Sequence, residues 1–260
     1  MDLMTLLGLL LGIGSTYYVM SQGKIAYLLF NPDAAILVIG GTIGATLITF
    51  PWKVIRQVPR AIWLVFFPPK KDQPSMVIRN IVQLAERAKT KGIPSLISDV
   101  KGKGNNHFLV EGIQMLVDDL DPEIIRENME KDITFIRRRH QQIAGIFRTM
   151  GTYAPIFGLL GTLIGVVQVL RNLTDPQSMG ASMAIAVTTT FYGIFLTNFV
   201  FLPIAGKLTV HSDDELLLKE VIIEGLLSIQ KGDIPIIVSK KLETFLSYKI
   251  RKKEIKKKKK

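Results

Sequence analysis

The sequence predicts an all-α fold: a polytopic membrane protein with four transmembrane helices and a helical cytoplasmic domain. Three observations carry that expectation. Of 260 residues, 48% are hydrophobic, and the mean hydropathy of +0.29 is high for a soluble domain, with the apolar residues gathered into long runs. The formal net charge of +11 is concentrated outside those runs. Between and after them, apolar residues recur with the spacing of amphipathic helices, and no strand-like alternation competes over any length.

A membrane-crossing helix needs about 20 mostly apolar residues. Four segments meet this: Leu3 to Met20, Ala34 to Trp52, Met150 to Leu170 and Met183 to Ala205, none holding Asp, Glu, Lys or Arg. The first lacks a basic leader and is followed by "YYVMSQGKIAYL", which offers no clear small-residue cleavage site, so it is expected to be retained as a span.

The connections between spans set the orientation. Ser21 to Asp33 and Arg171 to Ser182 are short and carry one basic residue each. The long section between the second and third spans is rich in Lys and Arg, including "RRRH" at Arg137 to His140, and the chain ends in "KIRKKEIKKKKK". The excess of positive charge in these parts places them, and both termini, on the cytoplasmic side. The basic balance is thereby assigned to the inner leaflet. No aromatic-interleaved basic patch suggests nucleic acid. The lysine tail reads as a solvated segment held near anionic lipid, at about 1 kcal/mol per residue close to the surface.

In the cytoplasmic section, "VIRNIVQLAERAKT" from Val77 to Thr90 puts Ile78, Ile81, Val82, Ala85 and Ala88 on one face. A further helix, a break near Asp119 to Pro122 and a long helix follow. Asp121 is the expected N-cap, with Pro122 at the first helical position. No Gly or Pro falls between Glu123 and Gly145, so this helix should continue into the third span. Beyond the fourth span, "DDELLLKEVIIEGLLSIQKGD" reads as a separate amphipathic helix and "IPIIVSKKLETFL" as a short last one. The expected organisation is 1–52, two spans with a short external loop; 53–145, a cytoplasmic helical domain; 146–206, the third and fourth spans; and 207–260, C-terminal helices and the basic tail.

The chemistry expected of an enzyme is missing. There are no cysteines, and His107, His140 and His211 lie far apart without metal-ligand spacing, so neither a metal site nor a cofactor is expected. No phosphate-binding glycine loop, nucleophile set or carboxylate pair stands out.

The third span is unusual. Gly158, Gly161, Thr162 and Gly165 share one helical face, and Gly161 with Gly165 is a small-xxx-small pair that admits a close helix backbone. The fourth span repeats the pattern with Ala186, Thr190, Gly193 and Thr197, with Thr189 alongside. Two readings of these narrow, polar faces stand open: packing alone, with hydroxyls bonded back to their own helix, or a hydrated face that passes an ion. Pro155 and Pro203 each remove a backbone hydrogen bond and so can mark hinges, although Pro203 can equally punctuate the end of a span. Proton relays through membranes use Asp, Glu or His, and none lies in any span. If the chain works an ion path, the carboxylate must come from another polypeptide.

Beyond these patterns, "MDLMTLLGLLLG", "FRTMGTYAPIFGLLGTLIGVV", "DPQSMGASMAIAVTTTFYG", "FLPIAGKL" and "LVDDLDPEIIRENMEKDI" resemble, in order and over nearly the whole chain, the flagellar motor stator A-subunit family, MotA/PomA. The resemblance implies a homo-oligomer, a pentamer, in the bacterial inner membrane around a MotB/PomB-type B subunit that supplies the ion-binding aspartate. It implies that ion flow turns the A ring and that the cytoplasmic domain 53–145 drives the rotor protein FliG. By the same resemblance Thr162 and Thr190, with Thr189 beside them, line the ion route. Pro155 and Pro203 couple conformational change to it, and Gly158, Gly161, Gly165 and Gly193 pack on the partner. For rotor contact the resemblance points to Lys89 and Arg87. The usual acidic position falls at Ile97, with Asp99 the nearest acid. The transported ion is Na+ or H+. Sodium is favoured because paired hydroxyls supply oxygen ligands, whereas proton-type members often carry alanine at the position of Thr162. The competing expectation is an ExbB/TolQ-like energiser of an outer-membrane system, against which the span count argues.

Overall fold

The computed structural model describes residues 3–23, 30–68, 73–100, 107–171 and 173–246, the side chains of 3, 99 and 100 excepted. The lysine tail and part of the connection between the first two spans lie outside these residues. Among the described residues every regular element is helical. Helix α1 is Leu3–Gln22 and α2 is Pro32–Thr49, the latter with a π-turn at Ile36–Gly40. Two short helices follow, α3 (Trp52–Ile55) and α4 (Val58–Phe66). Helices α5 (Pro74–Lys91), α6 (Leu96–Val100) and α7 (His107–Val117) lead to the 50-residue α8 (Pro122–Arg171). Helix α9 (Pro176–Gln230) contains a π-turn at Thr197–Phe201, and α10 is Pro235–Leu242. Helices α1, α2, α8 and α9 are long and apolar enough to cross a membrane.

One device starts three of these four helices. The Asp121 carboxylate accepts from the Glu123 N–H at 2.8 Å, with Pro122 as the first helical residue, as expected. Asn31–Pro32 and Asp175–Pro176 repeat it: Asn31 accepts from the Ala34 N–H at 3.1 Å and Asp175 from the Gln177 N–H at 3.1 Å. Each side chain satisfies an orphan N–H, and each proline loses nothing by lacking one. At Asp175 the carboxyl is held below its ordinary value by hydrogen bonding from Ser178 and then from the Gln177 N–H.

The chain divides into two units. The first is Met1–Pro69 with Arg139–Val210, the second Lys70–Arg138 with His211–Lys260. The first unit presents apolar side chains outward: Leu11 is 73% and Ile48 88% exposed, and Ile36, Leu159, Leu163 and Val187 are exposed with them. In water such a surface would be a very large sticky patch; in hydrocarbon it is the expected exterior. The core of this unit contains Val38, Ala144, Phe147, Ala154, Phe201, Ile204 and Leu208, together with Ala61 and Val65 of α4. The sequence reading puts 53–66 with the cytoplasmic domain. The structure instead packs α4 into the membrane unit, because its apolar face has partners there, while Lys53, Arg56, Arg60, Trp52 and Trp63 are exposed as at a bilayer interface.

The second unit has its own core. The α5 face is buried at Ile78, Ile81, Leu84 and Ala85, with Val82 and Ala88 half-buried at its edge. Val221, Ile222, Leu226, Val238 and Leu242 meet it. Gly225 lets α5 come close: a Cβ there would stand 2.5 Å from Ile81 Cγ2. Lys219, 7% exposed, lies with its ammonium 4.2 Å from the Phe108 ring centre, which partly offsets desolvation. Here the structure corrects a sequence expectation. The "DDELLLKEV" segment is not a separate helix but the continuation of the fourth span, since α9 runs unbroken to Gln230.

The start of α10 is tied down by Lys241, whose ammonium donates to Asp233 at 2.6 Å. That hydrogen bond, more than burial opposes it, holds the Asp233 carboxyl below its ordinary value of 3.8. A depressed carboxylate stabilises the fold above its unfolded pKa, and the contribution is lost as pH falls through the folded value. Lys241→Met should therefore move the Asp233 titration, followed by carboxyl carbon NMR, upward toward 3.8.

Candidate functional site

The site lies where the third span, the C-terminal part of α8, runs antiparallel to the fourth, the N-terminal part of α9. Glycine makes the approach possible. A Cβ on Gly158 would stand 2.9 Å from the Thr189 carbonyl oxygen, on Gly161 2.5 Å from the Thr189 side chain, and on Gly165 2.6 Å from Ala186 Cβ. From the other side, a Cβ on Gly193 would stand 2.6 Å from the Ala154 carbonyl oxygen and 3.0 Å from Pro155 Cα. Real Cβ atoms do not approach so closely, so no larger residue fits without parting the backbones.

This corrects one expectation. The stripe of Gly158, Gly161, Gly165 and Gly193, assigned from sequence to a partner polypeptide, is covered by the chain's own helices. The two small-residue faces complement each other, and both are buried in their mutual contact.

Within this contact Thr162 and Thr190 meet. Their hydroxyls are hydrogen-bonded to each other. Thr162 Oγ1 also reaches the carbonyl oxygens of Gly158 at 3.2 Å and Ala186 at 3.1 Å. Thr190 Oγ1 lies 3.4 Å from the Ala186 oxygen and 3.5 Å from that of Gly158. Two hydroxyl and two carbonyl oxygens from both helices thus converge on one point. Both threonines are half-buried, so the cluster keeps an edge open. Its chemistry is a set of neutral oxygen dipoles, suited to a small hard cation and short of a negative charge. Among the described residues no group of acids, histidines or cysteines able to hold a metal occurs anywhere.

Thr189 plays a different part from the one expected. It is fully buried beneath Gly161, and its hydroxyl donates to the Ala186 carbonyl of its own helix at 2.9 Å. Its place is in the packing, not at the open edge. Pro155 sits inside α8 without ending it. Pro203 follows the π-turn of α9, and the helix continues past it, so it does not end the helix. Immediately before it, the Leu202 N–H donates to the carbonyl of Thr197, five residues back, as a π-turn requires.

The residues expected at a rotor contact belong to the second unit. Arg87 and Lys89 are exposed near the C-terminal end of α5. Ile97, in place of the usual acid, is half-buried against the core of that unit, an environment that suits isoleucine and would tax a carboxylate. Asp99 belongs to α6, and its side chain lies outside the described residues.

Sequence reasoning missed two cross-span contacts. Thr49 and Tyr153 pair their hydroxyls at 3.0 Å, and the space for the Phe157 ring against α2 comes from Gly41. A glycine within an apolar helix was the available signal for the second; for the first, neither residue type nor spacing gave one.

Comparison with known proteins agrees with this architecture. A family model described as the MotA/TolQ/ExbB proton channel family matches residues 101–221. Chemotaxis protein PomA of Vibrio alginolyticus is 36% identical over 247 residues, which cover 95% of this chain and 96% of that protein. The C. jejuni MotAB structure matches with a TM-score of 0.88 at 26% identity, over 95% of this chain and 97% of that one. The flagellar MotAB stator complex from Bacillus subtilis matches with a TM-score of 0.84 at 33% identity, over 94% and 97% respectively.

Proposed function

We propose that this chain, which belongs to the MotA/PomA motility branch of the MotA/TolQ/ExbB proton channel family, is the A-type half of an ion-driven flagellar stator. The observation that carries the reading is the Thr162–Thr190 cluster. Four neutral oxygens converge between two spans, and no span holds a carboxylate. A cation passing them needs a negative charge that only a second polypeptide can bring. A MotB/PomB-type subunit with an aspartate in its single span meets that need, and a ring of A-type chains, a pentamer, surrounds it in the inner membrane.

Sodium is the favoured ion over the proton. A proton needs one acceptor at a time, whereas sodium needs several oxygens to replace its hydration shell, and paired hydroxyls backed by two carbonyls supply them. The charge distribution supports cytoplasmic termini and a second unit lying on the cytoplasmic side. There the exposed Arg87 and Lys89 of α5 offer cationic groups to the rotor protein FliG. The full-length similarity to motility proteins speaks against an outer-membrane energiser.

The test is swimming of cells that carry this chain and its B-type partner as their only stator. Speed is expected to rise with sodium at constant proton gradient and to vanish without sodium. Equal speed in both media would overturn the sodium reading; absence of swimming under every ion would overturn the stator reading itself.

A further inference from the structure

A proline inside a helix leaves the carbonyl four residues earlier without its intrahelical N–H donor. For Pro155 that carbonyl belongs to Gly151. In the structure the buried hydroxyl of Thr197 donates to the Gly151 oxygen at 3.0 Å, from the other span. Thr197 stands out among the buried threonines of the spans in leaving its own helix alone. Thr42 bonds back to the Val38 carbonyl at 2.6 Å, Thr46 to Thr42 at 2.7 Å and Thr188 to Ala184 at 2.7 Å.

The surroundings hold this bond in place. One turn before Thr197, Gly193 lies directly on the Ala154–Pro155 backbone. Beyond it, Leu202 lies 3.1 Å from where a Gly151 Cβ would be. Thr197 is also the first residue of the π-turn of α9. The threonine has a second acceptor within reach of one χ1 rotation: the Gly193 carbonyl of its own helix, the usual back-bonding partner four residues earlier. The two positions differ by a side-chain rotation alone, yet one ties the spans together at the proline and the other does not.

We propose that Thr197 is a positioning residue, a two-state latch that replaces the N–H missing at Pro155 and sets how far the third span bends there. The inference rests on the stator reading for its consequence. Thr162 and Thr190 lie seven residues from Pro155 and Thr197 on their respective helices, so an ion arriving at the hydroxyl cluster acts on the same helix pair two turns away.

The test uses the full chain in complex with its B-type subunit. Thr197→Val keeps the shape and removes the hydroxyl; Thr197→Ser keeps the hydroxyl. In the Pro155 background the valine variant should lower the melting temperature of the purified complex by roughly 2–4 °C. With Pro155→Ala, which returns an N–H to the Gly151 carbonyl, the same substitution should cost much less. Additive effects would overturn the latch. Should Pro155→Ala fail to accumulate, serine against valine decides: equal loss in both overturns it, retention in serine supports it. Swimming speed should fall several-fold in Thr197→Val at every sodium concentration, with the half-saturating sodium concentration unchanged. Wild-type speed there would overturn the coupling role. If the wild-type complex drives no swimming at all, the stator reading fails, while the melting cycle still reads the latch.

Discussion

Gly193→Ala should be among the most damaging single-methyl additions available in the membrane unit. The new Cβ would stand 2.6 Å from the Ala154 carbonyl oxygen and 3.0 Å from Pro155 Cα, both backbone atoms of a helix locked by the rest of the contact. No rotamer change relieves such a clash, so the helices must part. The expected cost is about 1–3 kcal/mol, and the separation also pulls apart the Thr162–Thr190 cluster. The complex should melt at a lower temperature and support little swimming. The same change at Gly145, within α8 and with no heavy atom within 4 Å of its Cβ position, should raise stability by about 0.5–1 kcal/mol through helix propensity. A Gly193→Ala complex that melts like the wild type would contradict the packing described here.

Thr190→Val should split the two readouts: large in function, small in stability. Valine keeps the shape, and Thr162 still donates to the carbonyls of Gly158 or Ala186, so no buried group is stranded. The melting temperature should change little. One of the four oxygens offered to the cation is lost, however, and a deficit of about 1.4 kcal/mol is already tenfold in occupancy. Swimming at limiting sodium should fall about tenfold or more, with partial recovery at high sodium and retention in Thr190→Ser. A passive packing role for the small-residue faces would leave Thr190→Val swimming normally. The melting and swimming measurements on Gly193→Ala and Thr190→Val together separate architecture from ion handling, since the first substitution lowers both readouts and the second lowers swimming alone.

Much of this fold could be read from the chain. The spans are visible because hydrocarbon demands long uncharged runs, and α8 because nothing between Glu123 and Gly145 interrupts a helix. The amphipathic face of α5 was legible at Ile78, Ile81 and Ala85 because burial on one side of a helix imposes its period. Less legible were the extents. Helix α9 passes through Pro203 directly after a π-turn, a local change of register with no residue signature. Helix α4 joined the membrane unit because Ala61 and Val65 found partners there, a matter of three-dimensional neighbours rather than of its own composition.

By itself, then, the sequence determined that this is a four-span helical protein with narrow small-residue faces and no intramembrane carboxylate. Those are properties of residue type and period, and solvent selects for them directly. The tertiary structure alone decided which face meets which. The glycine stripe could have served a partner. It serves the fourth span, because Gly158, Gly161 and Gly165 and Gly193 together leave backbones close enough to exclude anything else. That closeness is what turns Thr162 and Thr190 from two ordinary hydroxyls, each able to bond its own helix, into one cluster of four oxygens. It also carries the hydroxyl of Thr197 to the carbonyl that Pro155 leaves open.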